Sequence, residues 1–273
     1  MNWFKHEKIG EHIICITDLG NVRMFLVEGD ERCCLVDLGF GIGNIRQYIE
    51  QNITQKPVFA LVTHCHIDHV NACALYDECY LNEKDWNLYE RAYDVERRKY
   101  DEFKDHPILK DVPIEFYDPK RERPFLNVVD GQVFDLGGIT LKVIEVPGHS
   151  PGSIVVLIPE LRTCIYGDAC GRRLGLVSDA AAPVSVYLNG LLNLKQYDGQ
   201  YDRILRNHNV LECPLDMLEN VIECCKQILN GTDDKFPVMR GGKMVLAAKQ
   251  VDEKQQRIDG KQGNIFYRED KRC

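Results

Sequence analysis

Apolar and polar positions divide the chain into a strand-rich first third, a charged helical stretch, a second run of strands and two later helices. Residues 12–17, 22–28 and 33–36 are short β-type runs. Turn signals separate them, at Asp18-Leu19-Gly20-Asn21 and Glu28-Gly29-Asp30. Residues 43–51 read as a helix, and 58–62 as a buried strand. Residues 82–104 read as one long charged helix with Trp86, Leu88, Tyr89, Tyr93, Tyr100 and Phe103 on its apolar face. That face either packs on the core or walls a pocket. Pro107, Pro113, Pro119 and Pro124 make the next stretch irregular. Strands return at 132–136, 139–146, 153–158 and 163–166, with Gly137-Gly138 suited to a tight hairpin. Helices are expected at 184–194 and 215–229, and a last strand at 264–267. This order predicts two similar α/β halves, sheets face to face and helices outside.

The chain has 273 residues, 44% of them hydrophobic, enough for a large core. A net charge of −8 argues against a general nucleic-acid binder, because no strongly basic field attracts phosphates. The 12 cysteines are irregularly spaced, with no Cys-x-x-Cys pair, and the N-terminus has no apolar signal core. No apolar run approaches the roughly 18–20 residues of a membrane span. Reduced thiols in a cytoplasmic protein, with no membrane partner, are therefore expected.

The chemistry is concentrated directly after residues 58–62. His64-Cys65-His66-Ile67-Asp68-His69 packs four metal-ligand candidates into six positions. Neutral imidazoles and carboxylates suit zinc or a similar first-row metal. His64 and His66 alternate by two and can converge on one ion. Asp68 and His69 lie just beyond and can reach a second. Cys65, between two ligands, points away from them by alternation and reads as an inert buried thiol. A two-metal site needs more donors. His149 in Pro147-Gly148-His149-Ser150-Pro151-Gly152-Ser153, Asp168 after Tyr166-Gly167, and His208 in Arg206-Asn207-His208-Asn209 each follow a predicted strand. His6, His12 and His106 have no such context and read as surface or packing residues, His6 near a mobile N-terminus.

His-x-His-x-Asp-His, then Pro-Gly-His-Ser-Pro-Gly-Ser, then Gly-Asp, then a late His, resembles the metallo-β-lactamase-fold hydrolase superfamily, over roughly residues 13–210. The resemblance implies a four-layer αββα sandwich of two mixed β-sheets with external helices. It implies a hydrolase domain over 1–230, in which 82–124 is an insertion able to serve as a lid, and a C-terminal extension, 231–273, packed on the same domain. It further implies two zinc ions per chain, with iron or manganese as other occupants. His64, His66 and His149 would hold the first, Asp68, His69 and His208 the second, and Asp168 would bridge them. A metal-bridging hydroxide would cleave an ester, thioester or lactone of a small molecule, with Asp68 as the catalytic residue that orients it. Asp37, in Asp37-Leu38-Gly39, reads either as a turn aspartate or as a carboxylate supporting the ligands through hydrogen bonds.

Some positions depart from particular branches. His208 lies between asparagines where the superfamily has glycines, and Asn tolerates the left-handed turn this context needs. Glyoxalase II-like thioesterases carry basic residues beyond the bridging Asp. Here Arg172 and Arg173 follow at a shorter spacing and read as surface arginines or as a grip on an anionic substrate. Quorum-quenching lactonases place a Tyr where this chain has Gly171. His66 replaces the Glu of flavodiiron relatives. The alternative reading is a mononuclear iron, persulfide dioxygenase-like oxidoreductase on the same fold, which uses only part of the ligand set. A homodimer is a candidate assembly.

Overall fold

The computed structural model describes residues 2–94, 106–109 and 111–273. It forms two compact units, Met1–Lys142 with Asn207–Asn209, and Val143–Arg206 with Val210–Cys273.

The first unit is built on a six-stranded mixed sheet in sequential order, β1 (Phe4–Lys8), β2 (Ile13–Asp18), β3 (Arg23–Glu28), β4 (Cys33–Val36), β5 (Val58–Leu61) and β6 (Cys79–Tyr80). Tight turns join the first four strands antiparallel, whereas β4, β5 and β6 run parallel. A parallel pair needs a crossover, and α1 (Ile45–Asn52) supplies it between β4 and β5. Strands β2 to β5 are buried nearly throughout, which explains their continuous apolar runs. Leu26, Leu35, Ala60 and Val62 meet Ile45 and Ile49 of α1 in one apolar cluster. His6 lies exposed on β1, which pairs with β2, and its Nδ1 meets Tyr48 Oη at 2.8 Å.

A single helical turn, α2 (Ile67–Val70), follows β5. The long helix expected over 82–104 begins differently: residues Glu83–Leu88 form a 3-10 helix, and only then does the short helix α3 (Tyr89–Tyr93) follow. Asn82 explains the tight start: its side chain accepts from Lys84 N and donates to Val128 O. Trp86 donates its indole N–H to Leu81 O and is 37% exposed, while Tyr89 is buried. Tyr100 and Phe103 lie outside the described residues.

At the end of this unit β7 (Val133–Asp135) pairs with β8 (Thr140–Glu145) around Gly137-Gly138. Both glycines have positive φ, 85° and 77°, as a two-residue hairpin turn requires. Strand β8 continues into the second unit and joins the sheet order β13-β12-β10-β9-β8-β7. Its other members are β9 (Ile154–Ile158), β10 (Thr163–Ile165), β12 (Arg203–Leu205) and β13 (Glu212–Cys213). Strands β10 and β12 are parallel, joined through α4 (Val184–Lys195). α5 (Met217–Asn230) packs with α4 over Val155, Leu157 and Ile204.

The segment beyond Gly231 is more strand-rich than its sequence suggests. β14 (Phe236–Arg240), β15 (Lys243–Ala247) and β16 (Ile265–Tyr267) form a four-stranded sheet with β11 (Leu174–Leu176). Among the described residues no helix is long and apolar enough to cross a membrane. The twelve cysteines stand as thiols.

Candidate metal centre

Parallel pairing of β4 with β5 determines the first half of the site. Val36 is in register with Leu61, so the chain leaves both strands side by side at their carboxyl ends. Asp37 follows one strand and Val62-Thr63-His64 the other, and Asp37 N donates to Leu61 O at 3.0 Å. The backbone then turns at His66, which precedes the single helical turn α2. Asp68 and His69 therefore lie in its first turn, with His69 N donating to His66 O at 3.0 Å.

Asp37 is fully buried and sits at φ 65°, a left-handed conformation unusual for any residue but glycine. Its two oxygens accept from four donors. Thr63 N donates to Oδ1 at 2.7 Å, and Thr63 Oγ1 to Oδ2 at 2.9 Å. His69 Nδ1 donates to Oδ2 at 2.9 Å, and Asn207 Nδ2 to the same oxygen at 2.8 Å. Of the two readings of Asp37, the structure supports the second: it holds a ligand candidate.

These bonds fix tautomers. Asp37 accepts the His69 Nδ1 proton, which leaves the His69 Nε2 lone pair available. Thr63 Oγ1 donates its hydroxyl hydrogen bond to Asp37, so its lone pair accepts from His64 Nδ1 at 3.1 Å. His64 Nε2 then also carries a lone pair, 3.0 Å from His66 Nδ1. One buried carboxylate thus prepares two imidazoles for coordination.

His208 joins this unit because residues 207–209 lie against β3. Arg23 N donates to Asn207 O at 3.0 Å, and the Arg23 guanidinium to Asn209 O at 2.9 Å. Asn209 adopts φ 58°, the left-handed turn expected of it. His208 Nε2 lies 3.0 Å from His69 Nε2 and 3.1 Å from Asp68 Oδ2. Donor atoms of Asp68, His69 and His208 all fall within 4.8 Å of one another, a grouping able to hold a metal ion. Lone pairs and a carboxylate facing each other at such distances repel unless a cation or shared proton lies among them, so the donor chemistry fits a metal.

In the second unit His149 and Asp168 come together. His149 Nδ1 donates to Gly175 O at 3.0 Å, which again leaves Nε2 unprotonated, 3.8 Å from Asp168 Oδ2. Ser150 is fully buried and its Oγ meets Ser153 Oγ at 2.9 Å, bracing the loop. The Asp168 Oδ1 atom faces Arg206 Nη2 at 3.2 Å.

Three supporting residues were not singled out from sequence. Thr63 relays Asp37 to His64. Asp85, fully buried, accepts from Cys65 N at 2.9 Å and so holds the backbone between His64 and His66. Arg206 binds Asp168. Only position relative to the ligands marks them, and that requires the fold. Cys65 is buried in the apolar cluster, and burial pushes its thiol well above the ordinary value. Asp18 lies near Asp68 and His208; desolvation raises its carboxyl to about 6, against hydrogen bonds from Val22 N and Phe40 N.

The family model for the metallo-beta-lactamase superfamily matches residues 17–211. The acyl-coenzyme A thioesterase MBLAC2 of Homo sapiens is 24% identical over 189 residues, 62% of this chain and 67% of the relative. The atrochrysone carboxyl ACP thioesterase of Aspergillus chevalieri is 26% identical over 178 residues, 63% of this chain and 47% of the relative. This chain thus spans about half the length of the second relative. A metallo-beta-lactamase from Pontibacter korlensis has the same fold, with TM-score 0.58 at 16% identity over 82% of this chain and 99% of that one.

Proposed function

Because the chain belongs to the metallo-beta-lactamase superfamily and is a metal-dependent hydrolase, we propose that it uses two zinc ions to hydrolyse a small-molecule acyl thioester. The proposed ligands are His64, His66 and His149 for one ion and Asp68, His69 and His208 for the other, with Asp168 common to both. The observation that carries this reading is the tautomer set: His64, His69 and His149 each commit Nδ1 to a protein acceptor, which leaves Nε2 for metal. When bound, zinc supplies Lewis acidity that lowers the pKa of water to about 7 and polarises a carbonyl.

The chain's own residues would do the rest. Asp68 Oδ2 faces two imidazole nitrogens at 3.1 and 3.6 Å, where it would orient the attacking water and receive its proton. A thiolate leaving group, with a parent thiol pKa of about 8.5, needs little acid assistance. That favours a thioester for a site rich in ligands and carboxylates. Both reported relatives are thioesterases, and their carriers, coenzyme A and ACP, present the acyl group on a thiol.

An anionic leaving group also has a candidate partner. Arg172 Nη2 and Arg173 Nη1 meet neutral amide oxygens of Gln256 and Gln255 at 3.4 and 3.3 Å. Arg240 Nη1 donates to Arg173 O at 3.2 Å and its side chain crosses Gly175, the residue whose carbonyl holds His149. The C-terminal sheet therefore brings a third guanidinium to the strand that braces a proposed ligand.

The test is a hydrolysis screen of the zinc-loaded protein against acyl-CoA, acyl N-acetylcysteamine, aryl esters, lactones and phosphodiesters, with elemental analysis. Thioester turnover with two zinc ions per chain is expected. One iron per chain with oxygen uptake on a persulfide would overturn the reading.

A further inference from the structure

Arg206 is the least expected side chain beside the proposed ligands. It follows β12, whose Leu205 is in register with Ile165 of β10. Tyr166 N donates to Leu205 O at 3.0 Å, so the 166–171 loop and Arg206 leave adjacent parallel strands together. From there the guanidinium reaches along the loop. Nη2 meets Asp168 Oδ1 at 3.2 Å and Nη1 donates to Cys170 O. The side chain is only 11% exposed, so the pair is screened from water and orientation matters more than at a surface pair.

Gly171 is the counterpart of that arrangement. Its φ is not among the positive values of this chain, so its backbone does not demand glycine. The space does. A Cβ at 171 would overlap the Arg206 guanidinium, Nη1 and Nη2 both. A glycine at this position is therefore a steric condition for Arg206 to reach Asp168.

We infer that Arg206 is a positioning residue for Asp168, and that Gly171 is the gap that admits it. The two oxygens of Asp168 are divided between neighbours: Oδ1 faces Arg206, and Oδ2 faces His149 Nε2 at 3.8 Å. Arg206 holds the carboxylate rotation that turns Oδ2 toward that imidazole. A carboxylate oxygen held by a guanidinium N–H that is itself anchored on Cys170 O is restrained in its rotation, and supports of this kind typically contribute 10–100-fold, on the order of 1.4–2.7 kcal/mol, to metal affinity. The inference rests on Asp168 being a metal ligand, as proposed above.

Zinc affinity by chelator competition, with melting of the metal-free protein alongside, tests it in the full chain. Arg206→Gln keeps an N–H for Cys170 O but removes the charged N–H on Asp168; it is expected to weaken zinc binding about tenfold or more. Gly171→Ala, with Arg206 intact, is expected to weaken zinc binding similarly. Adding Gly171→Ala to Arg206→Gln should cost little more, because the guanidinium it displaces is gone. Wild-type zinc affinity in Arg206→Gln or in Gly171→Ala would overturn the inference, even if the metal-free melting temperature falls. So would full additivity in the double variant. Asp168→Asn separates the two levels: if it retains wild-type zinc affinity, the ligand assignment fails first.

Discussion

His69 Nδ1 donates to Asp37 Oδ2 across 2.9 Å, with both side chains fully buried. The contact joins a residue that leaves β4 to one on the helical turn after β5, so the sheet register itself delivers the tautomer. Asp37→Asn keeps the shape but puts an amide N–H against at least one of four donors. Zinc affinity is expected to fall about 10–100-fold, and the metal-free protein to lose about 1–3 kcal/mol for the unsatisfied donor. Chelator competition and urea unfolding check both numbers. Unchanged affinity would mean that Asp37 is a turn residue only.

Asp18 gives a pH signature. Its folded carboxyl is raised to about 6 by desolvation, against an ordinary value of 3.8. A carboxyl raised on folding contributes stability that is present below its unfolded pKa and is lost as pH rises through the folded one. The window is therefore from about 3.8 to about 6. Asp179, Glu219, Asp259 and Asp270 are shifted downward by arginine or lysine partners and act in the opposite sense. Their contributions cancel when the wild type is compared with Asp18→Asn. The difference in melting temperature between the two metal-free proteins should change between about pH 4 and 6, with the wild type losing stability relative to the variant as pH rises. Parallel curves would remove Asp18 as the source.

Arg240, whose guanidinium lies against Gly175, predicts a substrate effect that separates binding from chemistry. Arg240→Ala is expected to raise KM for acyl-CoA about tenfold, the value of one charge-assisted hydrogen bond (about 1.5 kcal/mol). It should leave KM for the uncharged N-acetylcysteamine thioester, and kcat for both, near wild type. Equal effects on the two substrates would show that Arg240 only braces β11.

Much of this site was legible before the fold, because metal ligation needs particular side chains at particular spacings. His64, His66, Asp68, His69, His149, Asp168 and His208 all carry such side chains after predicted strands, and the strands at 33–36, 58–62 and 153–158 were marked by continuous apolar runs. What the sequence hid was of two kinds. Strands β14 and β15 each bury few side chains, and buried Val238 and Val245 are flanked by the apolar but exposed or half-buried Pro237, Met239, Met244 and Leu246, so no apolar/polar alternation marks them, although Gly241-Gly242 is a hairpin signal. Thr63, Asp85 and Arg206 act by hydrogen bonds to the proposed ligands or to the backbone between them, and no spacing along the chain reveals who faces whom. The start of the 82–104 segment failed for a local reason: Asn82 bonds on both sides and tightens the first turns into a 3-10 helix.

The ring of Tyr187 defines how closely the His149 loop can approach α4. Gly148 lies against it, and a Cβ there would overlap the ring. Tyr187 is fully buried, and its hydroxyl donates to Ala169 O at 2.8 Å, next to Asp168. The same ring thus touches the loop of one proposed ligand and the residue after another. Gly148→Ala should overpack this contact, costing about 1–3 kcal/mol. That corresponds to a melting temperature lower by roughly 2–4 °C per kcal/mol. Because the displaced loop carries His149, zinc affinity should fall with it. Tyr187→Leu shortens the ring and should restore zinc affinity in the Gly148→Ala background, although the hydroxyl bond to Ala169 is lost. If the double variant binds zinc no better than Gly148→Ala alone, the loop is held by something other than this contact.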